Sequence, residues 1–506
     1  MPASATFTTR LADEAETALL MADLGLLVGG DDTITLSGDL GAGKTAAARA
    51  LIRYLASDET LDIPSPTFTL VQRYDLPAFP VLHADLYRID RVSDLDELDL
   101  IPPPAGSLVL IEWPERAAHF LPRDRIDVRL LADSDDASAR VATVTGFGKS
   151  VAKVARLDAL RAFIERSGLS SAKRVRMAGD ASSRSYARLR HNGQSLVLMN
   201  SPPRADGPPV HNGRSYSAIV HLAEDIRPFV AIAEGLRTHR FSAPEILHAD
   251  LDHGFLVSED FGSVGIVEGD PPAPTAERYQ ACVDMLARLH AMTLPIELPL
   301  PDHRPYRIPD FDLDAMLIEV GLMPEWYLPD QGIAVSASMR AEFDALWRDL
   351  LADAVQARKT WVLRDFHSPN VIWLDQRPDI ARVGIIDFQD AVLGPEAYDV
   401  VSLAQDARID IPEAFEIALV ARYVKARRAQ DGDFDSARFA ALYALMSAQR
   451  NTRLLGTFAR LNRRDGKSHY LRHQPRAWGY LQRALAHPSL ARLRDWYAVH
   501  LPAPDL

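Results

Sequence analysis

The sequence predicts two domains, an α/β domain built around a phosphate-binding loop and, after it, an α+β domain of two lobes, the first β-rich and the second helical. Three observations predict them. At 506 residues the chain is too long for one ordinary core. The run Gly38-Asp39-Leu40-Gly41-Ala42-Gly43-Lys44-Thr45 has G-x-x-x-x-G-K-[ST] spacing and stands between a β-rich run and an Ala-rich helix, the context that spacing requires. Residues 361–390, WVLRDFHSPNVIWLDQRPDIARVGIIDFQD, read as strand, polar loop, strand, turn and strand. They deliver Asp365, Asn370 and Asp387 at the spacing phosphoryl transfer uses: one carboxylate for the proton of an attacking hydroxyl, an amide and a second carboxylate for Mg²⁺ on ATP phosphates.

Composition narrows the classes. Hydrophobic content of 47% and charged content of 25% are those of a globular protein. The net charge of −13 argues against independent binding to nucleic acid, which needs clustered Lys and Arg, while leaving room for work on RNA inside a larger complex. A single cysteine, Cys282, excludes an internal disulfide and a Cys-based zinc site, and its helical setting gives it a packing role. The N-terminus lacks a basic segment followed by an apolar core, and no apolar run approaches the ~20 residues a bilayer needs. A cytoplasmic protein without membrane contact is expected.

Taken in order, a helix is expected from about Thr9 to Gly25, a strand over Asp32–Ser37 and a helix over Ala46–Leu55. In the loop between, Gly38, Gly41 and Gly43 let backbone N–H groups curl around phosphates, with Asp39, Ala42 and Ala46 in the same cradle. Lys44 neutralises the β- and γ-phosphates, and Thr45 Oγ1 is placed to ligate Mg²⁺. Downstream come Ser65-Pro66-Thr67-Phe68, then His83-Ala84-Asp85-Leu86-Tyr87-Arg88, then the strand Leu108–Ile111 ending in Glu112-Trp113-Pro114-Glu115. Glu112 stands where a Walker B carboxylate would polarise Mg²⁺ or water, and Asp85 ends the preceding β-like run. Taken singly, either acid is equally a helix cap or a surface charge.

Together GDLGAGKT, SPTF, HADLYR and IEWPE resemble the TsaE family, the small ATPase subunit of the bacterial machinery that makes threonylcarbamoyladenosine on tRNA, over about residues 8–150. The resemblance implies ATP hydrolysis by a P-loop domain bound to the threonylcarbamoyl-transferase subunits. It places Lys44 and Thr45 on nucleotide and Mg²⁺, puts Asp85, Glu112 and Trp113 at the active site, and puts Thr67 in a switch-like segment.

The small acidic run at 132–139 reads as a surface turn, and the domain change is expected near residue 150. Domains 1–150 and 151–506 follow, the second with lobes of about 170–262 and 270–506. A helix is expected over Arg156–Ser167, then strands over 174–177, 185–190 and 195–199, a polar turn at Gly179–Arg184 where a phosphate-covering loop would sit, and a Pro-rich loop over 200–213. A helix over Ser217–Thr238 and strands over 245–249 and 255–258 come next. Glu259-Asp260-Phe261-Gly262 then occupies the place of an adenine-reading hinge, with helices after Pro274.

SLVLMNSPP, FLVSEDFG, LARLH, RDFHSPN, GIIDFQDAVLGPEAYDVVSLAQDAR and AQRNTRLLGTFARL resemble the aminoglycoside-phosphotransferase-like sugar kinases. Within that group the resemblance, over about residues 155–500, is greatest to anomeric kinases for N-acetylmuramate and N-acetylglucosamine. It implies a protein-kinase-like two-lobed fold acting on a small amino sugar, with Asp365 as catalytic base, Asn370 and Asp387 on Mg²⁺, and Glu259 at the adenine hinge. A kinase for an aminoglycoside or choline is the alternative, as is a docking module without turnover. The sequence departs from the kinase pattern at Leu363, where a structural His is usual, and at Met199, where a strand lysine usually meets the phosphates. Arg184 and Arg188 are the candidate replacements. His367 either touches substrate or caps its turn. Arg450, Arg453, Arg460, Arg463 and Arg464 read as a solvated helix face, with substrate or carboxylate binding as the alternative, and Trp478 and Trp496 read as core.

Overall fold

Three strands of the first sheet are buried along nearly their whole length, on both faces. In the computed structural model, which describes residues 4–89, 100, 104–177, 184–204 and 206–501, the chain falls into two compact units. The first runs to Pro203 and takes in Leu247–Asp260; the second comprises Arg204–Ile246 and Phe261–Leu506.

The first unit opens with β1 (Ser4–Leu11), α1 (Glu14–Gly25), β2 (Thr33–Ser37) and α2 (Lys44–Ala56). β3 (Val71–Asp75), β4 (Pro80–Asp85), β5 (Leu108–Glu112), β6 (Arg125–Ala132) and β7 (Arg140–Phe147) complete a seven-stranded sheet ordered β1-β7-β6-β2-β5-β4-β3. The β6-β2, β2-β5 and β5-β4 pairs are parallel; the outer pairs are antiparallel. The expected helix start at Thr9 is corrected, because Thr9–Leu11 belong to β1. Their alternation pairs residue for residue with β7, and the Asp13 side chain caps the helix instead by accepting from the Glu16 N–H at 2.9 Å.

α3 (Ser150–Arg166) follows. Its N-terminal half sends Val154 and Leu157 into the core of the seven-stranded sheet. Its C-terminal half sends Leu160, Phe163 and Ile164 into a second core with Leu189, Leu198 and Phe255. That second core lines a five-stranded sheet of β8 (Lys173–Arg176), β9 (Ser185–His191), β10 (Gln194–Asn200), β11 (Ile246–Asp250) and β12 (Phe255–Glu259), ordered β11-β12-β10-β9-β8. One helix thus serves two sheets. Between them Asp23, at the end of α1 and 1% exposed, accepts from Arg174 Nε on β8 at 2.9 Å and Arg161 Nη1 on α3 at 3.0 Å. Residues 179–183 of the expected phosphate-covering turn lie outside the described residues.

The second unit carries α4 (Arg227–Thr238), α5 (Ala276–Ala291), α6 (Leu313–Val320) and α7 (Ala337–Ala354). The expected helix over Ser217–Thr238 is corrected to two. A short one ends where His221 turns left-handed at φ 57°, and α4 starts afresh with Pro228 in its first turn. Two small antiparallel pairs, β13 (Lys359–Val362) with β16 (Val392–Pro395) and β14 (Val371–Trp373) with β15 (Val383–Ile385), hold the polar loops. α8 (Ala397–Ala404), α9 (Glu413–Gln430), the 30-residue α10 (Ser436–Asp465), α11 (Gln474–Leu485) and α12 (Ala491–His500) pack around them. Cys282, Trp478 and Trp496 are buried. No helix among the described residues is long and apolar enough to cross a membrane.

Removing one member of a buried ion cluster strands the other charge, at a cost of ~3–5 kcal/mol. Asp23→Ala is therefore expected to lower stability by about that amount in urea unfolding, and the loss should be much larger than for Arg161→Ala, whose side chain is a quarter exposed.

Candidate active sites

Three parallel strands end side by side in the first unit, and their C-terminal ends make its site. Register pairs Leu36 of β2 with Glu112 of β5, and Glu112 with Asp85 of β4. The loop after β2 therefore opens beside both carboxylates, over a cavity of about 350 Å³ bordered by Gly41, Gly43, Lys44, Thr45, Thr67 and Trp113. Gly38 is required where it stands. Its φ is 139°, and a Cβ there would lie 2.1 Å from the Leu130 carbonyl oxygen.

Within the loop, Lys44 Nζ donates to the carbonyls of Gly38 (2.7 Å) and Asp39 (2.9 Å) and lies 3.5 Å from the centroid of the Trp113 ring. Burial lowers its pKa against the opposing pull of Glu112 and Glu115. Ala42 is buried, its N–H bonded to the Asp39 carbonyl, and Ala46 borders the cavity on α2. Thr45 Oγ1 donates to Glu112 Oε2 at 2.8 Å. Ser65 and Thr67 hydroxyls donate to one oxygen of Asp85 at 3.0 and 3.1 Å, and the Tyr87 N–H donates to the other. The expected residues Gly41, Gly43, Lys44, Thr45, Ala46, Thr67, Asp85, Glu112 and Trp113 thus surround one cavity. His83 was not anticipated. Fully buried, it lies 2.9 Å from Glu112 Oε1, and since a carboxylate only accepts, Nε2 carries the proton. Its alternation within β4 was readable; the partner across the sheet was not.

In the second unit the β14–β15 hairpin brings together residues seventeen apart. Asn370 precedes β14 and Asp387 follows β15, and Val371 pairs with Ile385. Asn370 Nδ2 donates to the Asp365 carbonyl at 2.9 Å and to Asp387 Oδ2 at 3.2 Å; Gln389 Nε2 donates to Asp387 Oδ1 at 2.9 Å. The loop carrying Asp365 is fixed from behind. Buried Asp399 accepts from the N–H groups of Leu363 (2.7 Å) and Arg364 (2.9 Å), while Arg364, left-handed at φ 71°, donates to the Val220 carbonyl and pairs with buried Glu319.

Burial would raise the Asp365 pKa, but Arg453, whose Nη2 lies 3.6 Å from Oδ1, holds the carboxyl well below the usual range, and Arg450 adds to its effect. His367 is pushed down to about 4 by burial and by Arg408, so it is neutral near pH 7 and accepts from Arg408 Nη1 at 2.9 Å. The solvated-face expectation is corrected for two of the five arginines. Arg450 is 3% exposed and the Arg453 side chain 14%, because α10 packs its face on Glu319 and Tyr398. Arg460 lies over the Tyr216 ring, and Arg463 and Arg464 are about half exposed.

The donor sets suit a hard cation. Thr45 and Glu112 in one site, Asn370 and Asp387 in the other, offer oxygens only, and no cluster of three His, Cys, Asp or Glu that could hold a metal exists among the described residues. Few protein oxygens completed by phosphates is the usual pattern for Mg²⁺. Of the remaining expected residues, Glu259 ends β12 opposite Leu196. Arg184 is partly buried. Arg188 lies on the sheet face shared by Met199, its Nε donating to Asp260 Oδ2 at 2.5 Å. Met199 itself is 2% exposed.

Two family models match the chain: threonylcarbamoyl adenosine biosynthesis protein TsaE over residues 11–141, and the phosphotransferase enzyme family over residues 173–442. The N-acetylmuramate/N-acetylglucosamine kinase of Caulobacter vibrioides is 35% identical over 360 residues, 69% of this chain and 97% of that protein. The protein of the same description from Pseudomonas aeruginosa is 31% identical over 333 residues, 65% of this chain and 88% of its own. The tRNA threonylcarbamoyladenosine biosynthesis protein TsaE of Rickettsia bellii is 39% identical over 128 residues, 25% of this chain and 88% of that protein.

Gly38→Ala forces a backbone clash in the phosphate-binding loop. It is expected to cost ~1–3 kcal/mol of stability and to abolish binding of a fluorescent nucleotide to the first site, read by titration against wild type.

Proposed function

The chain belongs to the phosphotransferase enzyme family and to the TsaE family, joined in one polypeptide, and from this we propose a bifunctional cytoplasmic protein. Its N-terminal domain, about residues 1–150, hydrolyses MgATP in company with threonylcarbamoyl-transferase subunits. Its C-terminal domain, about residues 151–506, transfers the γ-phosphoryl group of MgATP to the anomeric hydroxyl of N-acetylmuramate or N-acetylglucosamine. The observation that carries the kinase reading is the Asn370 amide, which bonds both Asp387 and the backbone of Asp365.

In the C-terminal site Asp365 takes the proton of the sugar hydroxyl. Arg453 keeps its carboxyl ionised and oriented, and Asp399 fixes the loop behind it. Asn370 and Asp387 hold Mg²⁺, which when bound offsets the charge of the phosphates. Glu259 marks the adenine hinge, and Arg184 is the cation to compensate for Met199. In the N-terminal site Lys44 exchanges its loop carbonyls for phosphate oxygens, Thr45 and Glu112 hold the metal, and Asp85 orients water under the control of Ser65 and Thr67. Leu40 and Phe68, each at least 80% exposed beside that cavity, offer apolar surface to a partner.

With a panel of N-acetylmuramate, N-acetylglucosamine, glucose, choline and an aminoglycoside, transfer is expected to the N-acetyl sugars alone. Asp365→Asn should reduce it by about 10²–10⁴-fold, and Lys44→Ala should abolish only the first site's ATP hydrolysis. Nucleotide binding without transfer to any acceptor would instead make the second domain a docking module, as Met199 hints. The pH profile adds a check. Because Asp365 is held low, kcat/KM should show no inflection from the base between about pH 5 and 8. Arg453→Met removes a lowering charge, so an acid limb should move upward into view.

A further inference from the structure

The spacing of three residues along α10 stacks Arg450 and Arg453 on one helix face. Their surroundings differ. Arg453 has Glu319 at 3.1 Å, the Tyr398 hydroxyl at 3.2 Å and Asp365 at 3.6 Å. Arg450 is more deeply buried, at 3% exposure, yet its Nε and Nη1 are without any hydrogen-bond partner. Its guanidinium carbon lies 5.9 Å from the centroid of the Tyr398 ring.

Apart from Asp365, three buried acids of the unit are already used. Glu319 takes Arg364, Arg453 and the Gln449 amide. Asp399 takes two backbone N–H groups, and Asp406 takes the N–H and hydroxyl of Ser368 and the N–H of Arg408. Asp365 offsets part of the Arg450 charge, yet two buried N–H groups without an acceptor are unfavourable unless an oxygen arrives from outside the chain. The side chain's field falls on Asp365, the residue that meets the acceptor hydroxyl, and on His367 beside it.

We propose that Arg450 is a specificity-determining residue that receives a carboxylate of the acceptor, so that the site reads the lactyl carboxylate of N-acetylmuramate together with the hydroxyl taken by Asp365. The inference rests on the kinase reading above. The planar fork of a guanidinium matches a carboxylate with two parallel N–H···O bonds. Leaving that fork unfilled makes a neutral acceptor the poorer substrate, since a site built to bond a group discriminates against analogues lacking it.

The test compares N-acetylmuramate with its primary amide, which keeps the size and removes the charge, on full-length wild-type protein, with N-acetylglucosamine as the acceptor that reports the kinase reading. kcat/KM for the acid should exceed that for the amide by about 10–100-fold, the range of a hydrogen-bonded charge pair. Arg450→Met should collapse that ratio to within about threefold, and Arg450→Lys should restore part of it. Equal use of acid and amide by wild type overturns the proposal, as does a ratio that survives in Arg450→Met. A proportionate loss on all acceptors would also overturn it, by assigning Arg450 to the phosphoryl group or to folding. Should the variants not fold, the acid–amide ratio of wild type decides alone. If neither N-acetylmuramate nor N-acetylglucosamine is phosphorylated, the kinase reading has failed, and this inference falls with it.

Discussion

Asp23 is a carboxylate with 1% of its side chain in contact with solvent, gripped by Arg174 of one sheet and Arg161 of the helix between the sheets. A charge so placed is tolerable only if its partners stay put. The arrangement of the first unit follows from that condition. α1 belongs to the phosphate-binding domain by sequence, β8 to the kinase by sequence, and the ion cluster joins them. α3 reinforces the joint with one apolar half in each core. Arg156 adds a bond from α3 to Asn200 of β10 and lies over the Phe255 ring. Covalent fusion alone would give two tethered domains at high mutual concentration; here the linker has become a structural helix.

The same seam reaches the helix that begins at the phosphate-binding loop. Arg176 of β8 donates to the Leu55 carbonyl in the last turn of α2 at 3.1 Å, and Lys173 pairs with Glu59 just beyond it. At its other end α2 opens with Lys44, whose ammonium is satisfied by loop carbonyls and a ring face. Those carbonyls are weaker partners for a cation than phosphate oxygens.

Much of both sites was legible because phosphate chemistry is written in short, local spacings. Gly38 to Thr45 needs only a strand before it and a helix after it, and Asp365, Asn370 and Asp387 need only a hairpin. What the sequence hid depends on distant partners. The end of β1, Thr9–Leu11, reads as the start of a helix because its alternation shows its meaning only against β7, far along the chain. The break at His221 carries neither Gly nor Asn to announce a left-handed cap. His83, Asp399 and Asp406 look like ordinary strand and helix residues until the groups they bond arrive from elsewhere. The arginines of α10 mislead most, since a run of charge on a long helix is usually solvated, and only Glu319 and Tyr398 make two of them interior.

Glu319 explains how a strained loop can carry Asp365. Arg364 in the left-handed region costs ~1–3 kcal/mol, and the loop would relax if nothing opposed it. The guanidinium of the same residue is pinned to Glu319 and to the Val220 carbonyl, while Asp399 holds its N–H. Glu319 in turn holds Arg453, which faces Asp365. One carboxylate on α6 therefore fixes both the backbone before Asp365 and the cation in front of it. α10, whose register Arg453 fixes, is also the helix that presents Arg450. The positions of Asp365 and of the two buried arginines of α10 are tied to a single buried acid.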